Sequence, residues 1–136
     1  MPRSTLPNRR AIEFDKELEL RPYEATALAA TASSTAITFP GTKQMYFKNI
    51  INLAAHTGYV AGSAQWSIAT EFSADNVTFK QVGNAIVLTG IVNQIEIALS
   101  GAAVEDVVPE AAFVRVTATK TGTPGNLSFG AFLAPC

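Results

Sequence analysis

His56 and Cys136, the only histidine and the only cysteine of this 136-residue chain, are the first residues to weigh for chemistry. A zinc site needs three or four ligands, which one histidine and one distant thiol cannot supply. His56 follows Ala54-Ala55 and precedes Thr57-Gly58, where a lone histidine reads as a loop or half-buried polar residue. A serine nucleophile needs an activating base and a positioning turn, and no Gly-x-Ser-x-Gly elbow occurs. No glycine loop of the phosphate-cradling kind is present either. Glu105, Asp106 and Glu110 gather around Val107-Val108-Pro109, but the spaced Asp and Asn ligands of a calcium loop are missing. A solvated acidic loop is expected there. Asp75 and Asn76 fall in a turn, where such side chains serve the backbone first. Trp66 opens an alternating strand, which favours burial over sugar stacking. These residues make no catalytic constellation, so the expectation is a protein that is not an enzyme and uses no cofactor or metal.

Charge is more informative. The chain has 10 Lys and Arg against 11 Asp and Glu. Arg3, Arg9, Arg10, Lys16 and Arg21, with Glu13, Asp15, Glu17, Glu19 and Glu24, crowd into the first 24 residues. The rest carries only Lys43, Lys48, Lys80, Arg115 and Lys120 against Glu71, Asp75, Glu96, Glu105, Asp106 and Glu110. At 15% charged residues the chain lies well below the usual quarter, with Ala, Thr, Ser and Asn filling the gap. Such a surface suits packing against other proteins, and also a quiet β domain; subunit association is expected ahead of a monomer. A net charge of −1 provides no basic field for nucleic acid. The segment Ala11 to Arg21 alternates with acids instead of forming the apolar run of a secretory signal. Asn49 to Thr70, the longest uncharged stretch, holds Asn52, His56 and Gln65 and is too polar for a membrane span. One cysteine excludes an intrachain disulfide and fits synthesis in a reducing cytosol.

The elements that must position these residues read as strands. Residues 1 to 10 hold two prolines and three arginines with no apolar period, an extended or disordered lead. Ile12, Phe14, Leu18 and Leu20 then alternate with Glu13, Asp15, Glu17 and Glu19 until Pro22. This strand has one apolar face and can lie on its own sheet or on a neighbour's. Residues 1–24 are therefore taken as an extended N-terminal arm and 25–136 as the domain. Met45, Phe47, Ile51 and Leu53 share a face, as do Trp66, Ile68 and Phe72, and again Ile91, Ile95, Ile97 and Leu99. Ser73-Ala74-Asp75-Asn76 turns the chain into a hairpin ending at Val82. Phe113 to Thr119 and Leu127 to Leu133 flank Gly122-Thr123-Pro124-Gly125 as a second expected hairpin. Ala25 to Thr31 is Ala-rich, but its threonines argue against a stable helix. The fold expected is all-β: an antiparallel β-sandwich or jelly roll of about eight or nine strands.

Two resemblances attach to these residues. Trp66-Ser67-Ile68-Ala69-Thr70-Glu71-Phe72-Ser73-Ala74-Asp75-Asn76-Val77-Thr78-Phe79 resembles the strand–turn–strand of galactose-binding-like, discoidin-type sandwiches, and Phe113-Val114-Arg115-Val116 resembles a late strand of that family. The likeness implies a sandwich. In sugar-binding members a histidine and an arginine near one end hold the ligand, positions for which His56 and Arg115 are the candidates, with Trp66, Tyr46 and Tyr59 as possible stacking aromatics. The discoidin cysteine pair is missing. In size, extended arm, charge-poor body and the same hairpin phrase, the chain also resembles the small β-sandwich decoration or cement proteins of tailed-phage capsids. That resemblance implies a homotrimer, made in the host cytoplasm, on the outer capsid surface of the virion, clamping the major capsid protein. Arg9, Arg10, Ile12, Phe14, Leu18 and Leu20 are the partner-contact residues it suggests. The alternatives are a carbohydrate-binding module, or another phage structural protein of the tail or head-completion kind.

Overall fold

Strict alternation decides which side chains meet. In a computed structural model, which describes residues 18–39, 46–91 and 93–135, β4 (Tyr46–Leu53) buries Phe47, Asn49, Ile51 and Leu53 on one face. Facing it, β5 (Gln65–Ser73) buries Trp66, Ile68, Thr70 and Phe72. Two sheets pack through these faces, and the remaining strands extend them. Along the chain these are β1 (Glu19–Arg21), β2 (Ala32–Ser33), β3 (Ile37–Thr38), β6 (Lys80–Leu88), β7 (Asn93–Ser100), β8 (Phe113–Thr121) and β9 (Phe129–Pro135), with α1 (Gly101–Val107) between β7 and β8.

One sheet has the order β1-β9-β4-β7, the other β2-β8-β5-β6 with β3 also on β8. Every pairing is antiparallel. The pairs nest around the turn after Ser73: β5 with β6, β4 with β7, β2 and β3 with β8, β1 with β9. A long hairpin folded over on itself gives this pattern, so the sandwich is a jelly roll. The all-β sandwich expected from the sequence is present, with nine strands among the described residues.

The core follows the predicted phasing. Leu127, Phe129, Ala131 and Leu133 are all buried, as are Ile97 and Leu99. Phe39 bridges the sheets at one end, its ring 5.3 Å from that of Phe47 and 4.9 Å from that of Phe72. Mid-core, the Asn49 amide donates to Thr70 Oγ1 across the sandwich at 3.0 Å, a polar pair closed off from solvent.

Three expectations change. The segments on either side of Gly122–Gly125 are not a hairpin: β8 pairs with β5 while β9 pairs with β4, so the chain arches from one sheet to the other. The acids Glu105 and Asp106 sit on a helical turn in place of a loop, started by Ser100, whose hydroxyl accepts from the Ala103 N–H. Ile91 is 63% exposed and precedes β7 instead of joining its buried face.

Candidate interaction surface

Of the segment expected to form an arm, residues 18–24 lie within the described structure. Leu20 is buried in the core and Leu18 packs against it, while Glu19 pairs with Phe132 and Arg21 with Ala131 at the edge of the four-stranded sheet. Residues 18–21 thus lie on the chain's own sandwich. Arg9, Arg10, Ile12 and Phe14 fall outside the described residues. On the outward side of the same sheet Ile50 and Ala134 are nonetheless buried, Ile50 standing in register between Phe132 and Glu96.

The pairing of β1 carries a bulge, two steps on β1 answering one on β9. A bulge re-aims the side chains beyond it. Glu19 keeps the outward phase of Phe132, whereas Arg21 takes the inward phase of Ala131. The Arg21 guanidinium lies over the Phe129 ring, 4.5 Å from its centroid, and donates to the carbonyls of Phe129 and of Thr26, the latter at 2.7 Å. Burial pulls its pKa below the ordinary arginine value.

On the outer face of the five-stranded sheet the polar groups satisfy one another. Glu71 accepts from Arg115 Nε at 2.8 Å and from Thr117 Oγ1 at 2.7 Å. The Arg115 guanidinium also stacks on Phe79 at 3.8 Å. These bonds leave Arg115 engaged within its own sheet.

At the end of the sandwich where β4 leads into β5, loops meet backbone to backbone. His56 N–H donates to Gly90 O at 3.1 Å, and Gly125 N–H to Thr57 O at 2.7 Å. The Trp66 indole N–H donates to Gly125 O at 2.8 Å, and Trp66 itself is fully buried. His56 Nε2 is buried without a hydrogen-bond partner among the described residues, and desolvation lowers the imidazole pKa.

The fold keeps the sugar-type pair apart. His56 lies in the loop before β5, while Arg115 pairs with Glu71 near the far end of that strand. Of the three aromatics suggested for stacking, Trp66 is buried, Tyr59 half-buried and Tyr46 70% exposed. Among the described residues no group of three or more His, Cys, Asp or Glu could hold a metal ion. No helix among them is long and apolar enough to cross a membrane. Sequence reasoning missed Arg21 as an inward residue, because only the β1–β9 register creates the bulge. The sequence matches no family model and no curated protein. Its class therefore rests on architecture: an all-β jelly-roll sandwich.

Proposed function

We propose that this protein is a capsid decoration or cement protein of a tailed-phage virion, acting as a homo-oligomer that binds the major capsid protein. The observation that carries the reading is where charge sits relative to the fold. A segment dense in alternating charge precedes a three-residue edge strand, and the sandwich behind it is poor in charge. The jelly roll is an architecture shared by viral capsid proteins, lectins and cupins, so it agrees with this function without defining it. Charge-poor faces suit burial between subunits, and alternating charges on an arm set register and partner choice more than affinity. In this proposal Arg9, Arg10, Ile12 and Phe14 contact the partner, while Leu18 and Leu20 anchor the arm to its own core. Several arms on one oligomer would add their modest affinities through avidity.

The test compares the full chain with one lacking residues 1–17, by co-sedimentation with capsid shells assembled without this protein. The full chain is expected to pellet with the shells, and the truncated chain to remain in solution. Equal binding by both would overturn the arm's role. Absence of binding by either would overturn the capsid reading itself.

A further inference from the structure

The bulge in β1 brings a guanidinium to a place where alternation would leave solvent. Arg21 is 8% exposed and lines a cleft of about 420 Å³ beside β1 and β2. Leu28, Ile37, Val116 and Phe129 give the cleft its apolar wall, and Ser34 and Thr35 add hydroxyls. That volume lies within the range of small-molecule sites, ~300–1,000 Å³.

We propose that this cleft binds a small carboxylic acid with a short apolar tail, its carboxylate held by Arg21. A buried cation is costly unless an anion compensates it. Among the described residues the ion pairs are Lys48 with Glu96 and Arg115 with Glu71, and neither includes Arg21. Glu19 lines the same cleft, but it keeps the outward phase of Phe132 and makes no ion pair with Arg21. The two carbonyls bound by Arg21 orient the fork without neutralising it. A guanidinium has five N–H donors in a fixed plane, so donors remain beyond those two bonds. Such a fork matches the geometry of a carboxylate. Ser34 Oγ accepts from the Val116 N–H at 3.0 Å, which fixes the oxygen and leaves its own proton free to donate to a ligand. The lowered pKa of Arg21 has desolvation as its cause and no carboxylate to offset it. The apolar wall selects the tail, so the class is a monocarboxylate and not a polyanion or a sugar. This inference stands independently of the capsid reading.

The experiment is a titration of the isotope-labelled full chain with sodium hexanoate, followed by NMR, with sodium chloride at matched ionic strength as the baseline. The parallel titration uses hexanamide, alike in shape and without charge. Hexanoate is expected to produce saturable shifts of the Arg21 Nε–H and of the Ser34 and Val116 amides, with hexanamide at least tenfold weaker. Arg21→Met should abolish the hexanoate shifts. Equal response to hexanamide, shifts reproduced by chloride alone, or hexanoate binding that persists in R21M would each overturn the proposal. Should R21M fail to fold, the contrast between hexanoate and hexanamide on the unaltered chain decides.

Discussion

Asn49 and Thr70 are polar residues placed where every neighbour in the same phase is apolar. Their mutual bond pairs Asn49 Nδ2 with Thr70 Oγ1, while Asn49 Oδ1 has no partner among the described residues; a buried donor or acceptor left unmade costs about 1–3 kcal/mol. Thr70→Val keeps shape and removes the acceptor, so it should lower stability by about that amount in chemical denaturation. Replacing both, Asn49→Leu with Thr70→Val, should recover most of the loss, because no polar group then remains to satisfy. A different residue-scale effect belongs to Asp75. Bonds from the backbone N–H groups of Thr78 and Val77 and from the Ser73 hydroxyl hold its carboxyl below the ordinary range. A carboxylate whose folded pKa is depressed stabilises the fold above its unfolded value of about 3.9, and that contribution fades as pH falls through the folded value. Melting temperatures between pH 7 and pH 2 should therefore fall less steeply on the acid side in Asp75→Asn, which should also melt lower at neutral pH. The local role of Asp75 was legible, because Ser-x-Asp-Asn is turn chemistry over four positions. Asn49 was not, because its partner lies 21 positions away and only the packing of two sheets joins them.

Elements show the same division between local and non-local information. The hairpin from β5 to β6 was readable from its turn, and so was the common face of Phe47, Ile51 and Leu53, because alternation is written into adjacent residues. The arch from β8 to β9 was not. Glycine and proline announce a change of direction, but they do not say whether the next strand pairs or crosses to the other sheet. Its geometry leaves a clear signature at Gly122, which has φ +70° and where an added Cβ would stand 2.1 Å from Ser63 O. Gly62 has a similar φ of +76° and open space around it. Gly62→Ala should thus cost only the left-handed backbone penalty, roughly 1–2 kcal/mol, and Gly122→Ala clearly more, as read from paired denaturation curves. Equal losses would mean that the arch yields easily. The helix α1 was also hidden. Its seven residues are too few to show a helical period, and the Ser100 cap was the one signal available.

For the molecule as a whole, composition and alternation were enough to predict an all-β sandwich, while the order of its strands required long-range pairing that no single segment encodes. The charge pattern of residues 1–24 was legible, but the place where β1 joins the sheet was not. That place gives the 1–17 truncation a second readout. Leu18, Leu20 and the β1–β9 pairing all remain in the shortened chain, so it should still unfold in one cooperative transition by calorimetry. Loss of that transition would show that the arm is part of the domain's stability and not an appendage to it.

Nested pairing also imposes an order in time. β5 and β6 can join as soon as their turn is made, whereas Arg21 must find Phe129 at a separation of 108 positions. Closing a long loop costs entropy before any contact compensates it, so remote pairings form late. β9 lies between β1 and β4, and neither edge can be completed until it has left the ribosome. Until β9 has been made, β1 therefore has no strand to pair with, and the seam between them is among the last parts of the sandwich to form.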